Sequence, residues 1–294
     1  MTKGTGGPGT TGEPGDRSDG DDLPDLQGFD GLAGAEHEAP EQPVGGPGEM
    51  GETGPPDGVR TVPLPSSPSA TRLVLVRHGE AACNVSGICG GPLGCSGLTP
   101  HGVRQIEALR DRLAVTRELA GADALYASVL PRARQTAEIL APVLAPVDAG
   151  GWTSEVPEVI EDCGLCELHP GEADGLTWSE FTERFGDPNW DVDPGRIIAP
   201  GGESWTGFVT RVVVALDAIV RRHPGQLVVV ACHAGVIEAS MLGMMTVEGR
   251  WEGARLQLRT HHSSLTTWEV DHNRWRLLGY NDAVHLVLAP PLPL

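Results

Sequence analysis

Arg77-His78-Gly79-Glu80 follows directly on the apolar run Leu73-Val74-Leu75-Val76. A neutral imidazole at the end of a buried strand is a nucleophile at pH 7 without an activating base or a metal. A neighbouring guanidinium offers phosphate oxygens a planar fork of donors. Together the two residues could form a phosphoryl-transfer site, with one ring nitrogen of His78 aimed at phosphorus. A second apolar run, Leu227 to Ala231, ends at Cys232-His233 and leads into Ala234-Gly235. In open α/β sheets ligands gather beyond the carboxyl ends of the strands, so His78 and His233 are expected to meet in one crevice. Either histidine alone reads more simply as structural. The pair at matching strand ends is what points to chemistry.

Further groups fit the same chemistry. Arg132 and Arg134 open a helical segment in Ser128-Val129-Leu130-Pro131-Arg132-Ala133-Arg134. Cations and free N–H groups at a helix N-terminus favour a bound dianion. Position alone does not separate the two, and for Arg134 a solvated helix face is the simpler reading. The leaving oxygen needs a proton. Glu167 is placed to supply it if burial beside anionic phosphate raises its pKa, although composition alone does not separate it from Glu161, Asp162 or Glu172. Cys163-x-x-Cys166 could be half of a zinc or redox site, but no second CxxC or matching histidine pair accompanies it, so no metal is assigned. Cys89 and Cys95 lie in a Gly-rich loop near the expected crevice, where oxidation could obstruct it.

The elements that must position these residues alternate between strand and helix. Arg72 to Val76 reads as a buried strand. Thr99 is an N-cap with Pro100 at the first helical position, and Val103, Ile106, Leu109 and Leu113 carry the helical period to about Leu119. Ala122 to Ala127 is a second strand, followed by a helix carrying Thr136, Ile139, Leu140 and Leu144. The most regular helix runs from Glu203 to Arg222. Leu227 to Ala231 is a strand, and a helix from Gly235 passes through Met241, Met244 and Met245, which read as packing residues. Leu265 to Val270 and Trp275 to Leu278 complete the sheet, one of them as an antiparallel edge. The pattern predicts an α/β three-layer sandwich, a mostly parallel central sheet flanked by helices.

Composition divides the chain. Residues 1–70 hold 16 Gly and 11 Pro, with 13 acidic against 3 basic residues, and are expected to be a disordered acidic tail. Residues 71–294 are expected to form one catalytic domain. Within it, 151–202 lacks regular patterning apart from Trp178 to Phe185 and is expected to be a cap-like, substrate-facing insertion, with Trp152, Trp178, Phe181, Phe185 and Trp190 as apolar walls. The formal net charge of −19 argues against nucleic acid or anionic membranes as partners. No run approaches the roughly 20 apolar residues of a membrane span. Six cysteines without a secreted disulfide spacing suit a reducing, cytoplasmic setting. Oligomeric state is open.

Several segments resemble the histidine phosphatase superfamily, which includes the phosphoglycerate-mutase-like enzymes. In family order they are Leu75 to Asn84, Gly97-Leu98-Thr99 with Gly102 and Gln105, Ser128 to Ala137, Leu165-x-Glu167 with Gly171 and Gly175, Pro200 to Ser204, and Val230-x-x-His233-Ala234-Gly235. Asn281 and His285-Leu286 are similar to the ending of several phosphatase members. The resemblance implies that His78 is the nucleophile and forms a phosphohistidine. It further implies that Arg77, Arg132 and His233 surround the phosphoryl oxygens with Asn84 and Ala234 assisting, and that Glu167 acts as general acid and then as base. It implies no cofactor and no metal. His101, His169, His261 and His262 receive no role from it and read as surface or structural residues, with His169 near the pocket mouth. Cys83 stands where mutase-type members carry Trp, and Leu168-His169-Pro170-Gly171 replaces their basic, aromatic stretch. The leading expectation is therefore a phosphomonoester hydrolase acting on a small phosphorylated metabolite. A mutase-type phosphotransferase is the alternative, and a catalytically idle phosphate-binding module is a third reading.

Overall fold

Thr71–Arg77 forms β1, buried along its whole length because it has a helical layer on each side. Leu73 and Leu75 face one apolar cluster and Val74 and Val76 the other, as the twofold alternation of a strand requires. The computed structural model describes residues 67–244 and 258–288. The acidic segment 1–66 and Met245 lie outside the described residues.

After β1 the chain forms a short helix α1 (Ala82–Ser86), α2 (Pro100–Thr116), β2 (Ala124–Ala127) and α3 (Pro131–Leu140). The Thr99 hydroxyl accepts the Gly102 N–H and caps α2, as expected. The helix stops at Thr116, short of Leu119, because Arg117 turns left-handed. Pro142 converts the end of α3 into a single 3₁₀ turn over Ala141–Leu144. A small hairpin, β3 (Val147–Asp148) and β4 (Gly151–Trp152), precedes β5 (Val159–Glu161). Then come α4 (Trp178–Phe185), α5 (Trp205–Arg222), β6 (Leu227–Cys232) and α6 (Ala234–Met244). The chain closes with β7 (Leu265–Asp271), β8 (Arg274–Asp282) and α7 (Val284–Leu288).

The main sheet has the order β5-β2-β6-β1-β7-β8. β5, β2, β6 and β1 are mutually parallel, whereas β7 runs against both β1 and β8. The expected antiparallel edge is β8, which pairs antiparallel with β7, and it is the inner β7 that runs against the parallel set. β5 lies in a stretch that looked irregular, because three residues flanked by Pro157 and acidic positions carry too little periodicity to register. Helices α5 and α6 cover one face through Phe208, Val212, Leu216, Val236 and Ile237; α2 and α3 cover the other through Ile106, Leu109, Leu113 and Leu140. Met241 is buried in the first of these layers, as a packing residue.

A third, smaller cluster joins Cys89, Ala173, Phe181, Ile198 and Ala199, with Trp178, Phe185 and Trp190 packed against it. Phe181 is therefore an anchor inside the 151–202 stretch and not an exposed wall. Trp190 stacks on Trp205 with ring centroids 5.9 Å apart, so it too is occupied in packing.

Candidate active site

β1 and β6 pair in parallel with Arg77 beside Cys232, so the residues that follow them, His78 and His233, leave the sheet side by side. The His78 N–H donates to the Cys232 carbonyl at 2.9 Å. The two rings meet edge-on with centroids 5.1 Å apart. The turn after His78 can lie against the start of α2 only because two glycines face each other there. A Cβ on Gly79 would strike the Gly102 carbonyl, and one on Gly102 would strike the Glu80 carbonyl.

The hydrogen bonds fix the tautomers. His78 Nδ1 lies 2.6 Å from the Gly79 carbonyl, which can only accept, so Nδ1 carries the proton and Nε2 keeps its lone pair. Arg132, from the first turn of α3, shares its Nε–H between His78 Nε2 at 3.1 Å and His233 Nδ1 at 3.2 Å. Its Nη1 donates to the Gly90 carbonyl at 2.7 Å. His233 Nδ1 therefore accepts and its Nε2 carries the proton. That buried Nε2 has no hydrogen-bond partner among the described residues, and so remains a donor free for an incoming oxygen.

Burial, and then the Arg132 charge, hold the pKa of His78 well below 6.5; the neighbouring His233, His262 and Arg77 act in the same direction. His233 is depressed by burial and then by Arg132 and Arg77. Both imidazoles are neutral at pH 7. Arg77 donates through Nη1 to the Thr260 carbonyl and through Nη2 to His262 Nε2 at 3.0 Å.

Glu167 reaches the same crevice from the loop after β5. Its Oε2 accepts from the Gly235 N–H at 3.1 Å, at the start of α6, and its Oε1 accepts from the Leu168 N–H at 3.1 Å. A Cβ on Gly235 would push the carboxylate off this position. Ala234 is the first residue of α6, buried beside His233. Asn84 sits on α1 and directs Oδ1 to the Ala81 N–H at 3.0 Å. Arg134 points to the far edge of the sheet, where it pairs with Glu161 at 3.4 Å with both side chains about half exposed.

Two residues at the crevice were not found by sequence reasoning. The His262 ring lies 5.7 Å from that of His78, and burial followed by the Arg77 charge lowers its pKa to about 3. It arrives there because β7 is antiparallel, which brings the residues before β7 to the end of the sheet where β1 finishes. Asn281 and His285 hold that turn in place. Asn281 accepts from the His261 N–H at 2.6 Å and donates to the Arg259 carbonyl at 2.8 Å, and His285 Nε2 meets the Ser263 hydroxyl at 2.9 Å. Glu238 of α6 is the second. Burial, then the charges of Glu167 and Asp191, push its carboxyl up to about 7. A lone Glu in the apolar run Ala234-Gly235-Val236-Ile237-Glu238-Ala239 was the available signal.

Cys95 pairs with Cys83. The hydrogen bond with Cys83 lowers the pKa of Cys95 to about 5, and Arg132 reinforces it. Cys83 Sγ lies 3.9 Å from Arg132 Nη1.

A neutral imidazole with a directed lone pair, gripped by arginine and paired with a second imidazole that offers a spare donor, has the geometry that a histidine-based phosphoryl transfer would require. Residues 73–283 match the family model of the histidine phosphatase superfamily (branch 1), and the chain belongs to that family as a phosphatase. It is 31% identical over 224 residues to the metal-independent phosphoserine phosphatase of Arabidopsis thaliana, covering 74% of this chain and 83% of that one. A solved structure of YhfR from Bacillus stearothermophilus is 27% identical and superposes with a TM-score of 0.60, over 74% of this chain and 99% of its own. A mycobacterial glucosyl-3-phosphoglycerate phosphatase solved with VO3 is 25% identical, with a TM-score of 0.57 over 72% of this chain and 99% of its own.

Proposed function

We propose that the protein hydrolyses phosphate monoesters of small metabolites through a phosphohistidine at His78. The observation that carries this reading is the His78 ring itself, with Nδ1–H locked on the Gly79 carbonyl and the Nε2 lone pair turned into the crevice, where it accepts from the Arg132 Nε–H that an incoming phosphate would take over. Nε2 attacks phosphorus as the ester P–O bond breaks, and Glu167 gives its proton to the departing oxygen. Water then attacks the phosphohistidine, Glu167 takes a proton from it, and the P–N bond breaks to release inorganic phosphate. Arg77, Arg132 and the free Nε2–H of His233 hold the equatorial oxygens, aided by the N-terminus of α6 at Ala234 and by the Asn84 amide.

The relatives named for phosphoserine and glucosyl-3-phosphoglycerate support a small phosphorylated substrate for this chain as well. The charges of Glu167 and Asp191, which already act against ionisation of Glu238, disfavour substrates with several negative charges. Residues 71–294 are the catalytic unit, 151–202 is its substrate-facing insertion, and the Gly/Pro-rich residues 1–70 are an accessory tail. Six free thiols and the net charge of −19 support a cytoplasmic protein without nucleic acid or membrane partners. Among the described residues no helix is long and apolar enough to cross a membrane.

The test is phosphate release by chelator-treated protein from an aryl phosphate and a panel including phosphoserine and 3-phosphoglycerate. Release by the wild type, together with an acid-labile, base-stable phosphoprotein absent from His78→Ala, is expected. Release that survives in His78→Ala would sink the reading. A chain shortened by residues 1–66 should keep the same rates.

A further inference from the structure

We propose that Cys163, Cys166 and His169 form a binding site for one thiophilic divalent cation, Zn²⁺ being the natural occupant, on the outer side of the loop that carries Glu167. In the sequence the two cysteines lack a partner. The fold supplies one: after the 3₁₀ turn Cys163–Leu165 the loop returns so that the two sulfurs and a ring nitrogen of His169 all lie within 4.8 Å of one another.

The distances are those a tetrahedral ion needs. Zn²⁺ binds sulfur at about 2.3 Å and imidazole nitrogen at about 2.0–2.1 Å, which at tetrahedral angles sets two sulfurs about 3.8 Å apart and sulfur and nitrogen about 3.6 Å apart. Here Cys166 Sγ to Cys163 Sγ is 3.5 Å and Cys163 Sγ to His169 Nε2 is 3.5 Å. Hydrogen bonds between thiols and imidazole would give similar separations, so spacing alone does not decide the matter. The surrounding groups do.

A ligating histidine characteristically directs its other ring nitrogen to a carboxylate, and His169 Nδ1 lies 3.5 Å from Glu203 Oε2. Glu203 is itself fixed by Arg211 at 2.7 Å and by the His169 N–H at 2.9 Å. A ligating thiolate is stabilised by a donor, and the Ser128 hydroxyl lies 3.4 Å from Cys166 Sγ. Arg211 Nη1 donates to the carbonyls of Cys163, Gly164 and Cys166, so the loop is set before any ion arrives. Cys163 is exposed, which gives an ion a path in and leaves room for water as fourth ligand. Two thiolates balance the charge of a divalent ion, and their two thiol protons leave to solvent on binding.

The site is separate from the phosphoryl-transfer machinery. Cys166 and His169 bracket Glu167, whose side chain turns the other way to the Gly235 N–H, so the ion acts as a clamp on the loop and takes no part in the reaction. The assignment stands whether or not the phosphatase reading does, because its readout is spectroscopic.

The full-length protein, held under a phosphine reductant, would be titrated with Co²⁺ alone and then with Zn²⁺. One equivalent of Co²⁺ should give a thiolate-to-cobalt charge-transfer band and the strong visible bands of a tetrahedral ion, displaced by one equivalent of Zn²⁺. Cys163→Ser and His169→Ala should each weaken binding at least tenfold and lose the tetrahedral bands, while Cys95→Ala keeps them. Buffer-dependent calorimetry should count close to two protons released. Both the Cys163 and the His169 side chains reach the surface, so folding of their variants is checked by circular dichroism, and the proton count on the wild type stands independently of them. Absence of bands, bands that survive His169→Ala, or bands that vanish in Cys95→Ala would overturn the proposal.

Discussion

The floor and the rim of the crevice are built by different means. On the floor, Arg77, His78, Arg132 and His233 come from the ends of β1 and β6 and the first turn of α3, and each is less than 5% exposed. Parallel pairing of Arg77 with Cys232 and the burial of α3 against the sheet set their positions, so moving any of them means moving the core. On the rim, Glu167, His169 and Glu238 are partly exposed, and the first two ride on a loop held by Arg211 and Glu203. The lesson is a division of labour. A packed sheet fixes the groups assigned above to the phosphoryl oxygens, whereas the rim loop hangs on side-chain contacts that can be exchanged without touching the core.

The comparison breaks most plainly at His78. His78→Ala should lower turnover by more than about 10⁴-fold, because loss of the nucleophile removes the whole covalent route, while urea unfolding shows the fold retained. A loss of only a few fold would show that the floor is not where the reaction happens. At the rim, Glu167→Gln should separate substrates by leaving group. Alkyl phosphates should slow by about 10²–10³-fold, whereas an aryl phosphate, whose leaving oxygen needs no proton, should change far less. Equal losses for both would remove Glu167 from the acid role and make it one more structural contact.

His262 tests where floor ends and rim begins. It accepts from Arg77 and is neutral above pH 4, since its pKa lies near 3. His262→Ala should cost about tenfold in kcat/KM through misdirection of Arg77, and His262→Gln, which can still accept from Arg77, should recover most of it. A loss confined to kcat with KM untouched would place His262 on the reacting oxygens themselves.

The floor was largely legible in the sequence because it follows from local rules. Val76-Arg77-His78 and Ala231-Cys232-His233 each sit at the end of an apolar strand, and the parallel rule brings two such ends together. His262 was illegible for the same reason. The rule looks beyond carboxyl ends, and His262 precedes a strand whose reversed direction is set by tertiary pairing with β1. His169 was seen as a mouth residue, but its meeting with Cys163 depends on a loop closed by Glu203, thirty-odd positions along the chain. The helix ends show a milder version of the same limit. Thr99 announced the start of α2, while its end at Arg117 is a left-handed residue that no local pattern marked.

Glu238 supplies the finest test, through the pH dependence of stability. His78, His233, His262 and His285 all have pKa values below the 6.5 of an unfolded chain, so between their folded values and 6.5 the unfolded state binds more protons. Their contribution is fully present above pH 6.5 and is lost as the pH falls. Each adds up to about 1.4 kcal/mol per pH unit to that slope. Glu238 has the opposite sign. With a folded pKa near 7 against 4.5, it holds a proton that the unfolded chain has released, and its contribution is present below 4.5 and lost as the pH rises to 7. Glu238→Gln removes this opposing term. The variant should therefore gain on the wild type steadily between pH 4.5 and 7 in urea unfolding, and hold a constant lead above pH 7. A difference that does not change with pH would mean that Glu238 is solvated like any surface carboxylate, and that the low-dielectric floor does not extend one helical turn up α6.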